Sequence, residues 1–126
     1  MNYSDGIKIT SFDLEREYQD DHFSVVNIQS GSDYKALIVY LKAGQFIPIH
    51  SPSVDMFFAV FKGTGTGVFG MHEEKLFPGK IIFVPRDQKR GIRAETDMEA
   101  IHFVSPPPNS TDHDEVEEKL GTGSFR

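Results

Sequence analysis

Short hydrophobic runs separated by turn residues cover most of the chain between residues 23 and 104. In residues 34–41 both sets of alternating positions are largely apolar, which is typical of a strand covered on both faces. Other strand-like runs end at Gly, Pro or polar turn residues and occupy positions 23–28, 54–62, 63–70, 73–77, 80–84, 89–94 and 98–104. Because no long helical pattern separates these runs, the sequence predicts an all-β fold, an antiparallel sandwich or barrel.

Two short helical segments are predicted near the ends of the chain. Residues 11–21 form the first candidate, of one or two turns, with Ser11 as its N-cap. Residues 112–120 form the second, after a cap at 110–112 and before Gly121. The only apolar residues of this acidic segment are Val116 and Leu120, four positions apart. Such a narrow stripe fits packing against the barrel, packing against a second subunit, or a mobile acidic tail.

Composition narrows the class of protein. The 126 residues suffice for one core, so residues 1–126 are predicted to form a single domain. The absence of cysteine excludes disulfides and thiolate metal sites. No apolar run reaches the ~20 residues of a membrane span, and no signal-peptide pattern begins the sequence, so we expect a cytoplasmic protein without membrane contact. The formal net charge of −6 disfavours nucleic acid as a partner.

Two glycine-bounded stretches carry the most specific pattern. The first contains Gly44, His50 and a closing Gly63, and the second contains Gly79 and Pro85. They resemble the two motifs of the cupin family, and the short segment between them is similar to that of small single-domain members. The resemblance implies a double-stranded β-helix, the cupin jelly-roll barrel. It places the barrel core at about 34–108 and leaves an acidic C-terminal tail at 109–126.

The resemblance also implies where a metal would bind, since the usual cupin ligands are three His and one Glu. His50 keeps the first of these positions, whereas Pro52, Met56 and Arg90 occupy the others. One imidazole does not hold a divalent metal, and arginine is a permanent cation. Asp55 is adjacent to Met56 and would therefore point away from the interior of a regular strand. We predict neither a metal nor another cofactor.

Strand alternation predicts which side chains face the interior. If His50 and Met56 point inward, Phe58 does as well, and the last strand contributes His102. The resulting hypothesis has His50 and His102 as catalytic candidates and Met56, Phe58 and Arg90 as ligand-binding candidates in an apolar cavity. An inward Arg90 would pair with a carboxylate or phosphate through two parallel hydrogen bonds.

Each of these candidates has a structural alternative. A buried histidine can be a hydrogen-bonded core residue, and Met56 and Phe58 can simply fill the barrel. Arg90 ends the polar run 87–90 and can lie at the surface of a turn. The remaining histidines lie in polar stretches and are predicted to be surface residues: His22, His72 and His113.

Several functions therefore stay open. The first is a small-molecule-binding cupin without the usual metal site, with an anionic or sugar-like ligand and with isomerase or lyase chemistry as an option. The second is a non-catalytic sensor or structural module, and the third is a metal-dependent isomerase, lyase or dioxygenase. The volume of the barrel cavity discriminates between the first two, because a plugged barrel has no room for a ligand. The resemblance further implies a homodimer, which would also cover exposed strand edges.

Overall fold

The computed structural model describes residues 3–109 and 111–126. In chain order its elements are α1 (Phe12–Glu15), β1 (Ser24–Ser30), β2 (Lys35–Leu41), β3 (Phe46–His50), β4 (Asp55–Lys62), β5 (Gly65–Phe69), β6 (His72–Leu76), β7 (Ile81–Val84), β8 (Arg90–Ala94), β9 (Met98–Ser105) and α2 (Asp114–Thr122). One sheet has the strand order β1-β2-β9-β4-β7 and the other β3-β8-β5-β6, and the pairs are antiparallel. The predicted all-β fold is confirmed in the described part of the chain.

The two sheets pack their inner faces against each other. The core cluster draws buried residues from β2, β4, β7 and β9 of one sheet and from β3, β5, β6 and β8 of the other. In β4 the alternation is regular, since Met56, Phe58 and Val60 are buried while Phe57 and Phe61 are exposed. Burying an apolar side chain of this size contributes about 1.5–3 kcal/mol. A shift of the strand register by one residue would move these side chains to the outer face and lose that stabilisation. The burial pattern of β4 therefore agrees with the prediction that Met56 and Phe58 point into the barrel.

Gly63, which closes the first motif, is required by both conformation and space. Its φ of +88° lies in the left-handed region that disfavours residues with a Cβ. A Cβ at this position would also lie 2.1 Å from the carbonyl oxygen of Asp97. The turn after β4 can therefore approach the residue before β9 only if position 63 is glycine.

Helix α1 is shorter than the predicted segment 11–21. Ser11 caps it as predicted, and its Oγ accepts a hydrogen bond from the amide of Leu14 at 3.1 Å. The helix ends at Arg16, whose ψ of 123° is extended. The extended conformation brings Arg16 and Tyr18 onto the carboxylate of Glu99 in β9. A tertiary contact thus stops the helix that local sequence favours.

Helix α2 begins and ends two residues later than predicted, and it packs against the barrel. Its C-cap is Gly123, at a left-handed φ of 72°, instead of Gly121. Asp112 does not cap the helix, because its carboxylate accepts hydrogen bonds from Ser53 and Asn109; Ser110 of the predicted cap lies outside the described residues.

The segment around α2 is tied to the edge strand β3. Val116 is buried, and the Nζ of Lys119 donates to the carbonyl oxygen of Ile49 at 2.6 Å. The amide of Ile49 donates to the carbonyl oxygen of Phe125 at 2.8 Å. Of the three alternatives for the acidic segment, the structure therefore has the one that packs on the barrel. Neither described helix has the length and hydrophobicity needed to cross a membrane.

Candidate functional site

A cavity of about 480 Å³ opens between the two sheets, with α2 along its mouth. Strands β2, β3, β4, β8 and β9 supply most of its wall. Three buried polar side chains face it: His50, Arg90 and His102. The remaining buried lining residues are Val39, Ile47, Pro52, Val54, Met56, Gly91, Ile92, Val104 and Val116. The barrel is therefore open to a small ligand and is not plugged by its own side chains.

His50 lies at the end of β3, directly opposite Arg90 in the β3–β8 register. The residue is 8% exposed, and its Nδ1 lies 2.8 Å from the carbonyl oxygen of Pro48. A carbonyl can only accept, so Nδ1 carries the proton and Nε2 of the neutral ring keeps its lone pair. Burial is the main cause that lowers the pKa of His50, with the nearby His113 and Arg90 acting in the same direction. The neutral form with a free acceptor nitrogen is thereby favoured.

Arg90 is a buried cation without an anionic partner. The residue is 4% exposed, and its Nη2 and Nε donate to the carbonyl oxygens of Pro85 at 2.9 Å and Gln88 at 3.3 Å. Its Nη1 is buried and has no hydrogen-bond partner in the described part of the chain. No ion pair among the described residues involves Arg90. Burial lowers the pKa of Arg90 to about 10, so the guanidinium stays charged at neutral pH.

His102 lies in the middle of β9 and is 7% exposed. Its buried Nε2 has no hydrogen-bond partner. Burial, together with the charges of Arg90 and His50, lowers the pKa of His102 to about 3. His102 is therefore neutral at physiological pH. It can donate or accept a hydrogen bond, but it does not carry a proton as imidazolium.

The two predicted apolar contacts differ in their position. Met56 lines the cavity, whereas Phe58 is fully buried and is not part of the lining. The ring of Phe58 packs edge-to-face against His102, with 4.8 Å between the ring centroids. Phe58 therefore does not contact the cavity directly, and it can influence a ligand only by fixing the position of the His102 ring.

The mouth of the cavity contains residues that sequence reasoning had assigned to the surface. His22 and His113 are exposed as predicted, but both line the cavity, and the His113 ring lies 6.3 Å from that of His50. Lys35 and Glu117 add one charge of each sign to the mouth. The pair Val116 and Leu120 was the available signal, because it indicated that one face of α2 packs against the barrel.

The turn before Arg90 has a left-handed residue, Asp87, at the position where the motif resemblance places a glycine. Its φ is +69°, a conformation that Asp adopts at a modest cost. Its amide donates to the carbonyl oxygen of Pro52 at 2.9 Å. The carbonyls of Pro85 and Gln88 in this turn hold the guanidinium of Arg90. Arg90, which could have lain at a turn surface, is therefore directed into the barrel.

The residues at the cupin metal positions do not fit a metal. The described residues contain no group of three or more His, Asp or Glu side chains that could hold an ion. Two buried imidazoles, those of His50 and His102, face the interior of the cavity, and the guanidinium of Arg90 lies in the same interior without an ion-pair partner among the described residues. A divalent cation would add charge to an interior that already holds an unpaired cation, and two buried neutral donors are too few for stable coordination.

A second depression of about 630 Å³ lies between the edge strands β6 and β7. Its charged residues Glu74 and Lys80 pair with each other at 3.0 Å. No buried polar atom without a hydrogen-bond partner lines this groove among the described residues, in contrast to the barrel cavity.

Comparison with known proteins identifies the architecture. No protein-family model and no curated protein matches the sequence. Among solved structures, an RmlC-like cupin protein from Desulfovibrio desulfuricans is 25% identical, with 80% of this chain and 98% of that chain covered at a TM-score of 0.72. TT1209 from Thermus thermophilus is 18% identical, with 79% and 98% covered and a TM-score of 0.75. KdgF from Halomonas sp. is 23% identical, with 74% and 88% covered and a TM-score of 0.67.

These similarities extend over nearly the whole length of the compared chains. A protein from Klebsiella pneumoniae described by its double-stranded β-helix domain also matches, at a TM-score of 0.73 and 18% identity. The strand order, the two facing sheets and the retained motif glycines agree with that architecture. The predicted double-stranded β-helix is confirmed, and the chain has the fold of these small cupin proteins.

Proposed function

We propose that the protein binds a small anionic molecule in the barrel cavity, with Arg90 as the group that holds the anion. The observation that carries this proposal is the buried guanidinium whose Nη1 lacks a partner. A charge taken out of water is costly unless a counter-charge and hydrogen bonds compensate. A carboxylate or phosphate group of a ligand supplies both, and it does so best through two parallel hydrogen bonds.

The same cavity has groups suited to moving a proton. The Nε2 of His50 is the acceptor of the neutral ring, fixed in that role by the bond from Nδ1 to Pro48. It can take a proton from a carbon next to a carbonyl group of the ligand, while the electron pair left behind delocalises into that carbonyl. His102, neutral at physiological pH, can donate a hydrogen bond to the oxygen on which negative charge develops. This would be isomerase-type or lyase-type chemistry without a metal.

Anion binding is tested with a pair of arginine variants. Calorimetry with 2-oxobutanoate, a small monoanion, is compared for the wild type, Arg90→Met and Arg86→Met. Arg86 is exposed, pairs with Asp55 at 3.3 Å and does not line the cavity, so its replacement removes the same charge elsewhere. We expect Arg90→Met to weaken binding at least tenfold, since a charge-assisted hydrogen bond is lost. Equal affinities in the two variants would contradict the proposal.

A non-catalytic ligand-binding module is the second candidate. It is favoured by the low pKa of His102, which prevents this residue from acting as an acid at neutral pH, and by the lack of a buried lining carboxylate. Exchange of the C3 protons of 2-oxobutanoate in D2O, followed by NMR, separates the two candidates. Catalysis predicts exchange above the buffer rate that His50→Gln lowers at least tenfold. If 2-oxobutanoate binds but its C3 protons exchange no faster than in buffer, the protein is a non-catalytic binding module.

The metal-dependent alternative is weaker, because the donor set is incomplete. Elemental analysis of protein purified without chelator tests it directly. Less than 0.1 equivalent of any transition metal is expected, and a stoichiometric metal lost on His50→Ala would revive this alternative.

We also propose the predicted homodimer, through the outer face of the five-stranded sheet. This face exposes a continuous apolar patch: Phe57, Ile81, Phe83, Ile101 and Phe103. Patches of this kind are uncommon on monomers. The N-terminal segment is tied to its own chain through Glu99, which favours this face over exchange of that segment. Light scattering is expected to give a dimer for the wild type and a monomer for Phe57→Glu.

A further inference from the structure

The wall of the cavity has very few groups that can bind a hydroxyl. Among the described residues, the lining contains no Ser, Thr, Tyr, Asn, Gln or Asp side chain. The only carboxylate that these residues contribute to the lining is that of Glu117, an exposed residue of α2 at the mouth. Of the three buried polar side chains, Arg90 donates but cannot accept, and the Nδ1 of His50 is already bonded to Pro48. The interior therefore offers the Nε2 of His50 and the ring of His102 as its neutral polar groups.

The remaining surface of the interior is aliphatic. Val, Ile, Met and Pro side chains from both sheets supply it, and Leu37 and Phe23 extend it toward the mouth. A hydroxyl placed against such a wall loses its hydrogen bonds to water without replacement, and each such loss lowers affinity by about tenfold. A methylene placed there gains affinity, by about fourfold when it is fully buried.

Among the buried side chains described in the cavity, Arg90 carries the single charge. His50 and His102 are neutral at physiological pH, because burial lowers the pKa of both rings. A ligand with one anionic group neutralises Arg90, whereas a second anionic group in the interior would itself be unpaired.

From these features we infer that the cavity binds a carboxylic acid with a single carboxylate and a hydrocarbon body, and that it discriminates against sugar acids. The carboxylate pairs with Arg90, the body lies on the aliphatic wall, and at most two polar substituents are met by His50 and His102. This inference rests on the proposed anion-binding function and specifies the ligand class of the same site.

Three compounds with a six-membered ring test the inference. Cyclohexanecarboxylate has the charge and the apolar ring, galacturonate has the charge on a hydroxylated ring, and cyclohexanecarboxamide has the apolar ring without the charge. Titration calorimetry with the wild type is expected to give cyclohexanecarboxylate an affinity at least tenfold above either of the others. In the series acetate, butanoate and hexanoate, affinity is expected to rise about two- to fourfold per methylene.

Arg90→Met and Arg86→Met complete the test. We expect Arg90→Met to abolish the preference for cyclohexanecarboxylate over its amide and Arg86→Met to keep it. The acid–amide comparison probes the same contact in the wild type, so the test does not depend on the folding of a variant. If galacturonate binds as tightly as cyclohexanecarboxylate and depends on Arg90, the ligand class is wrong while the anion site stands. If no carboxylate binds the wild type more tightly than it binds Arg90→Met, the proposed function itself is wrong.

Discussion

Glu99 and Arg90 are both buried charges, but their surroundings differ. Glu99 is 0% exposed, and its carboxylate accepts hydrogen bonds from Arg16 Nε at 2.6 Å, Arg16 Nη2 at 2.8 Å and Tyr18 Oη at 2.8 Å. Arg90 is nearly as buried, yet its partners are two carbonyl oxygens, and its Nη1 has none. The chain compensates the buried anion with its own residues, whereas no described residue forms an ion pair with the buried cation.

Glu99 and His102, which faces the same cavity as Arg90, lie on opposite faces of β9. Glu99 faces outward, where the segment after α1 covers it, and His102 faces the cavity. A buried charge that the fold itself pairs has a structural role, because removing one partner leaves the other uncompensated. A buried charge without a protein counter-charge costs stability and is instead expected at a binding site. Stability and ligand binding should therefore respond in opposite ways to changes at the two centres.

The largest effect is expected for Arg16→Ala. The substitution leaves the buried carboxylate of Glu99 with Tyr18 at 2.8 Å and Lys62 at 3.9 Å. We expect the free energy of unfolding to fall by about 3 kcal/mol, the cost of breaking a buried pair from one side. Urea denaturation at pH 7 measures it. Asp13→Ala is the control, because it removes the exposed second partner of Arg16 and should cost no more than about 0.5 kcal/mol.

The pH dependence of this first effect follows from Glu99. Burial raises its pKa, but the hydrogen bonds from Arg16 and Tyr18 outweigh burial and leave the pKa below its ordinary value of 4.5. The wild type therefore loses this stabilisation only as the pH falls below about 4.5 and through the lowered pKa. In Arg16→Ala the carboxylate protonates more easily, so the deficit relative to the wild type should shrink in acid. A deficit that is independent of pH would contradict the role given to the ion pair.

An effect of intermediate size is expected for His102 between pH 6.5 and pH 5. Its pKa is about 3 in the folded protein, against an ordinary value of 6.5, so the unfolded chain binds one proton more in this window. Stability then falls as the pH falls, with a slope that rises to about 1.4 kcal/mol per pH unit as the unfolded histidine becomes fully protonated, which amounts to about 1.6 kcal/mol over the window. His50 adds to this loss, since burial lowers its pKa as well.

His102→Gln should remove about 1.6 kcal/mol of the stability difference between pH 6.5 and pH 5. Urea denaturation at the two pH values measures the difference, and His72→Gln, which replaces an exposed histidine, serves as the control. The Glu99 centre contributes only below about pH 4.5, so the two centres can be separated by pH. If His102→Gln keeps the pH dependence of the wild type, the ring of His102 must be in contact with water in the wild type. The contrast between the two buried centres would then fail.

Sequence patterns predicted the parts of the site that depend on local rules. Turn glycines such as Gly63, and the alternation that puts Met56 and His102 on inner faces, follow from local conformation and strand period. The Glu99 centre was not predicted, because its partner Arg16 is 83 residues away in the chain. Nothing in the local sequence around Glu99 indicates that the N-terminal segment covers it.

The mouth of the cavity escaped prediction for a similar reason. His113 follows the last strand in an acidic stretch that reads as surface, and its approach to His50 depends on the docking of α2 onto β3. The orientation of Arg90 was left open, since a cation in a polar turn is usually solvated. It is settled by the carbonyls of Pro85 and Gln88, whose positions depend on the turn around Asp87.

The smallest effect is expected for Arg90→Met in the absence of ligand. The substitution removes a buried cation that no protein anion compensates, and methionine fills much of the same space with apolar atoms. The carbonyls that lose their donors belong to Pro85 and Gln88, which are exposed and can bind water. These opposing terms should leave the free energy of unfolding within about 1 kcal/mol of the wild type, in either direction. Urea denaturation of both proteins in a buffer without small carboxylates is the measurement.

Added hexanoate should then raise the urea midpoint of the wild type and leave that of Arg90→Met unchanged, because a ligand stabilises only the state that binds it. A loss of about 3 kcal/mol without ligand would make Arg90 a structural residue like Arg16, and the distinction between the two buried charges would disappear.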